Sequence, residues 1–123
     1  LRRHPLALFR EHLNSYQVSP ASGLTDIDNE AHAKVTGLVT CRQRPMTAAG
    51  VTFLTLEDES GFINVVIWPK LGERFRPIVR QAMLMGVVGH VQKSDGVIHL
   101  IARELVDLSH WLGSMELSSR NFT

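Results

Sequence analysis

Between Lys34 and Ile67 the apolar positions alternate, and three strands are predicted in succession: Lys34–Arg42, Val51–Leu56 and Phe62–Ile67. In the second, Leu54 and Leu56 share one face, and Val51, Phe53 and Thr55 the other. In the third, Ile63, Val65 and Ile67 oppose Phe62, Asn64 and Val66. Period two with β-branched enrichment is the strand signal. In the first, Val35, Gly37, Val39 and Cys41 share a face, and Gly37 inside a strand predicts a bulge or sharp bend, as barrel closure requires. The loop Gln43–Gly50 joins the first two strands. The acidic turn Glu57-Asp58-Glu59-Ser60-Gly61 joins the second and third.

Around this block the period changes. His4–Tyr16 reads as a helix, with Pro5 at its first position and Leu6, Phe9, Leu13 and Tyr16 as one apolar stripe that must bury against this domain or a neighbour. Gln17–Ala31 reads as a linker with an acidic end. Trp68-Pro69 opens a second helix over Lys70–Gln81, with Leu71, Phe75, Ile78 and Val79 inward and Lys70, Arg74, Arg76 and Arg80 on the solvated face. Pro77 predicts a kink or two short turns there. A fourth strand, Met83–Lys93, bends at Gly86 and Gly89. The turn Ser94-Asp95-Gly96 leads to a fifth, Val97–Arg103, and Asp107–Gly113 is a short turn of helix. The expected fold is mainly β: a five-stranded OB-fold Greek-key barrel with a helix between strands 3 and 4, plus an N-terminal helix. The expected partition is 1–31 for the N-terminal helix and linker, 32–113 for the barrel and 114–123 for a polar tail.

Composition narrows the class. At 123 residues, 44% hydrophobic and 20% charged, the chain is one domain in size and not disordered as a whole. No apolar run approaches the roughly 18 residues of a membrane span, so no membrane partner is expected. The single cysteine, Cys41, excludes an internal disulfide, fits a reducing, cytoplasmic setting, and reads as a small core residue. A net charge of +1 means that any nucleic-acid binding must come from a local patch. The opening Leu1-Arg2-Arg3-His4-Pro5 carries neither Met nor a signal-peptide core, and the chain reads as a piece of something longer.

Catalytic chemistry is not visible. The one carboxylate cluster, Glu57-Asp58-Glu59, lies in a tight turn where charges are ordinary, so neither catalytic residues nor a metal site are expected. The six histidines lack ligand spacing, although His90 and His99 could face each other across the last hairpin. Ser109 and His110 are adjacent and point apart. Trp68 reads as core beside Pro69. The candidate binding residues are Phe53, Phe62 and Asn64 on the second sheet face, with Arg42 and Arg44 bracketing the first loop. The rings are either core or a stacking platform for bases. The arginines are either phosphate contacts or a solvated loop base.

Four segments carry a family resemblance: Gly37–Pro45 (GLVTCRQRP), Phe53–Gly61 (FLTLEDESG), Asn64–Pro69 (NVVIWP) and His99–Gly113 (HLIARELVDLSHWLG). Together they resemble the C-terminal region of bacterial error-prone DNA polymerases, paralogues of the polymerase III alpha subunit. His4–Leu13 resembles the segment leading into that region, and Ser119–Thr123 its extreme C-terminus, with Asn121 and Thr123 departing from the family's Ser-Arg-Asp-Phe-His. The family's Pro-Gly-Thr-Ala loop reads Pro45-Met46-Thr47-Ala48 here, which implies a stiffer loop. The resemblance implies a DNA-directed DNA polymerase of translesion synthesis and damage-induced mutagenesis, of which this segment meets single-stranded template. It places the catalytic carboxylates and their divalent metal ions in an absent palm domain, so this segment needs no cofactor. It implies as partners a Y-family-like polymerase homologue, an accessory mutasome protein, and a sliding clamp reached indirectly. Two alternatives stand beside it: a protein-interaction module docking mutasome partners, and an anticodon-binding OB domain.

Overall fold

The computed structural model describes residues 4–113. Five strands, β1 (His32–Gln43), β2 (Thr52–Asp58), β3 (Gly61–Ile67), β4 (Leu84–Ser94) and β5 (Val97–Asp107), close into a barrel in the order β1-β2-β3-β5-β4. Only β3 and β5 pair in parallel. This is the expected five-stranded OB-fold barrel.

Closure depends on β1, which pairs with β4 over His32–Leu38 and with β2 over Leu38–Gln43. At the crossover a Cβ on Gly37 would lie 2.8 Å from Cβ of Leu56 and 3.0 Å from the Glu57 carbonyl oxygen, so only glycine lets the two strands approach this closely. The register with β2 then slips between Val39 and Cys41. The extra residue reverses the alternation, and Cys41 is exposed rather than a core residue. Leu54, Leu56, Ile63, Val65 and Ile67 all face the barrel interior, as their alternation predicts, and meet Val35, Met85, Val87, Val91, Leu100 and Leu105 there.

The segment between β3 and β4 is two short helices, α2 (Pro69–Arg74) and α3 (Arg76–Gln81), broken at Phe75 with Pro77 in the first turn of α3. Val79 and Ala82 are buried in the core at this end of the barrel. The N-terminal segment is a 3-10 turn, Pro5–Phe9, followed by α1 (Arg10–Ser15). Its stripe packs on the barrel: Leu6 and Leu13 are fully buried with Leu84, flanked by Leu38, Leu108 and Trp111. Tyr16 leaves the stripe, because it ends the helix at φ −99° and is exposed.

The supposed linker is structural. A 3-10 turn at Ala21–Asp26 carries Leu24 into the main core. Its partner is the acidic turn. Asp58, only 2% exposed, accepts hydrogen bonds from the backbone N–H of Ala21 (2.7 Å), Ser60 (2.8 Å) and Gly61 (3.1 Å), and from the Ser60 hydroxyl (2.8 Å). Glu59 receives Nε and Nη2 of Arg10 at 2.5 and 2.6 Å. At the other end β5 runs on to Asp107, and residues 111–113 are helical. The Ser109 hydroxyl accepts from the Met83 N–H and holds this turn to the start of β4. The expected tail lies outside the described residues.

Candidate nucleic-acid interface

The outer face of β2 and β3 is set by register. Phe53 stands opposite Val66, Thr55 opposite Asn64, and Glu57 opposite Phe62. Across β3, Asn64 pairs with His99 and Val66 with Ile101 of β5. With the other alternate positions filling the core, Phe53, Phe62 and Asn64 therefore share one surface. Phe53 and Phe62 are four rows apart on it, roughly 13 Å along the strands.

The two rings differ. Phe53 is half-buried beside an outer cluster of Val51, Val66 and Ile101, which the loop residue Ala48 also covers. Phe62 is 64% exposed and borders a shallow pocket with Asn64, Gly96 and Ile98. The Asn64 amide donates to the Ile98 carbonyl at 3.5 Å. Trp68 continues the outward row Phe62-Asn64-Val66 one step past β3 and is 56% exposed, so it is not a core residue. Its parity with Val66 was the available signal.

The two loop arginines also separate. Arg42 donates Nε to the Val79 carbonyl at 2.8 Å and Nη2 to the Ala82 carbonyl, which satisfies the end of α3 and ties it to β1. Arg44 makes no hydrogen bond among the described residues. Its Nη2 lies 3.5 Å from where a Cβ on Gly50 would stand, and Gly50 adopts φ +87°. The loop between them is a 3-10 turn at Met46–Ala48 closed by Ala49 at φ +52°. Both arginines line a cleft with Arg76 and Arg80 of α3, residues that sequence reasoning assigned only to a solvated helix face.

The histidines do not form the anticipated pair. His90 stands opposite Ile101 on β5, and His99 opposite Gln92. His90 instead faces His32 across β1 and β4, and Nε2 of His32 lies 3.1 Å from Arg103 Nη1. No group of three or more His, Cys, Asp or Glu able to hold a metal ion occurs among the described residues. No helix among them is long and apolar enough to cross a membrane.

A closed barrel with this strand order and helices between β3 and β4 defines the OB class of binding domain. The chain belongs to the OB-fold nucleic acid binding domain family, whose sequence profile matches residues 33–108. Over 122 residues it is 48% identical to an error-prone DNA polymerase of Methylococcus capsulatus, covering 99% of this chain and 12% of that relative. A second error-prone DNA polymerase, from Pseudomonas syringae pv. tomato, is 45% identical over 97% of this chain and 12% of its own length. The chain thus spans about 12% of the length of these curated relatives. Asparaginyl-tRNA synthetase from Pyrococcus horikoshii shares the fold at TM-score 0.56 and 17% identity, over 65% of this chain and 19% of that one. The Stn1-ten1 complex of S. pombe does so at TM-score 0.51 and 15% identity, over 75% of this chain and 78% of the matched one. At such identities only the fold is shared.

Proposed function

We propose that this chain is the single-stranded-DNA-binding OB segment of an error-prone DNA polymerase acting in translesion synthesis and damage-induced mutagenesis. The observation that carries the reading is the outer face of β2 and β3, where Phe53, Phe62 and Asn64 share a surface, and Gln43, opposite Phe53, joins it to the cleft that Arg42 and Arg44 line at the barrel end. Rings stack on any base and arginines neutralise any phosphate, so such a face needs no base-specific contacts. That suits a polymerase that must accept damaged template. Arg44 is the direct phosphate contact. Arg42 adds its charge while its N–H groups hold α3. The near-complete alignment with error-prone polymerases supports the assignment to that setting. In this reading nucleotidyl transfer and its divalent metals belong to other parts of a longer cytoplasmic protein. A Y-family-like polymerase homologue, an accessory mutasome protein and, through a partner, the sliding clamp belong to its assembly.

A second reading, protein docking, draws on an apolar groove beside α1 that is lined by Leu13, Tyr16, Val106 and Trp111. Fluorescence anisotropy with a labelled thymidine oligonucleotide tests the first. Phe53→Ala should weaken binding by the ~1–3 kcal/mol of one stacked base and leave the salt slope unchanged, since a ring releases no counterions. Arg44→Ala should weaken binding and reduce the slope by about 0.7. Parental affinity in both variants would remove this face as the DNA site.

A further inference from the structure

At the rim of the sheet face, the β1–β2 loop and the helices α2 and α3 enclose a cleft of about 210 Å³. Arg44 enters it from the loop, and Arg76 and Arg80 from α3. None of the three makes a hydrogen bond or ion pair among the described residues. Glu73 shares the cleft and pairs with none of them. In a chain of net charge +1, this is a local excess of cations, Arg42, Arg44, Arg76 and Arg80 against the single carboxylate of Glu73.

The cleft is also held in shape. Arg42 spans from β1 to the carbonyls of Val79 and Ala82, so α3 is fixed relative to the strand that leads into Arg44. Gly50 turns the loop at φ +87°, a conformation that favours glycine, and the Arg44 guanidinium lies against it. Arg74 does not join the cluster, because it lies over the Phe75 ring at 5.2 Å from the centroid. Lys70 does not line the cleft either. Thr52, the first residue of β2, adds a hydroxyl donor where the cleft meets the sheet.

We infer that this cleft holds the sugar-phosphate backbone of a single strand as it leaves the sheet face, with Arg44, Arg76 and Arg80 as phosphate contacts. The inference rests on the proposed single-strand binding by β2 and β3. The strand therefore turns over the β1–β2 loop towards α3. Arg42 is a positioning residue for this path.

The test is a salt titration of the 123-residue chain with a fluorescein-labelled thymidine oligonucleotide, read by anisotropy. Arg76→Gln/Arg80→Gln should lower the log–log salt slope by about 1.4, at ~0.7 per phosphate contact on single strands, and weaken binding on the order of tenfold or more near 50 mM salt. Lys70→Gln/Arg74→Gln removes the same charge outside the cleft and should leave the slope nearly unchanged. All four positions are exposed, and unchanged circular dichroism confirms folded variants. An unchanged slope for the Arg76/Arg80 pair, with Phe53→Ala still weakening binding, overturns the cleft and leaves the sheet face standing. An equal loss in both double variants also overturns it, since net charge then suffices. No binding by the parent even at low salt removes the sheet-face reading and the cleft with it.

Discussion

Asp58 shows how much one side chain in a turn can organise. Its carboxylate takes five protein hydrogen bonds while almost fully buried, and two of them, from the Ala21 N–H and Arg10 Nη2, come from the N-terminal segment. Asp58→Ala leaves the Ala21 and Gly61 amides without that acceptor. A destabilisation of about 3 kcal/mol is expected, read as a lowered denaturant midpoint at unchanged slope. The neighbouring Glu59 is held below the ordinary glutamate value of 4.5, chiefly by the hydrogen bond from Arg10. A depressed carboxyl contributes stability that is complete above its unfolded value and is lost as pH falls through its lowered folded value. The melting-temperature gap between the parent and Arg10→Ala should therefore be widest at neutral pH and close as the solution is acidified below 4.5. A gap undiminished at the acid end would show that Arg10 acts through packing and its bond to the Val18 carbonyl rather than through the carboxylates.

Among the elements, the strands were legible because alternation continues over several residues, and Leu54, Leu56, Ile63, Val65 and Ile67 had only one arrangement that buried them all. The breaks in alternation were not legible. The slip after Val39 turns Cys41 outward, and a bulge depends on the partner strand as much as on local sequence. His90 and His99 share a hairpin, yet register places each against an apolar or amide side chain. Leu24 was hidden in a polar segment whose Ala21 N–H is satisfied by Asp58, 37 residues further along the chain. The N-terminal stripe was legible as a stripe, and its destination proves to be the barrel. Leu13→Ala should cost about 2–5 kcal/mol through lost burial and a residual cavity, whereas Tyr16→Ala, at an exposed position, should stay within about 0.5 kcal/mol. Comparable thermal stability of the two variants would mean that α1 does not contribute to the folded core.

For the whole molecule, three surfaces are distinct: the ring-bearing face of β2 and β3, the arginine cleft at its rim, and the apolar groove beside α1. The first two meet at Gln43, which lines the cleft and stands opposite Phe53, so together they offer stacking and phosphate neutralisation as a single-strand site requires. The groove also carries rings and a cation, Tyr16, Trp111 and Lys34, but it lies on α1, β1, β4 and β5 with no residue of β2 or β3, so a DNA titration should leave it unaffected. Candidate residues for the site were readable as residue types on one face, but the convergence of Arg44 with Arg76 and Arg80 required the tertiary fold. The most direct measurement is an amide-resolved NMR titration of this chain with a thymidine oligonucleotide at low salt. Shifts should concentrate at Arg44, Phe53, Phe62, Asn64 and Trp68 and along α3, and leave Leu13, Val106 and Trp111 in place. Shifts confined to the groove, or none at saturating oligonucleotide, would contradict single-strand binding by this face.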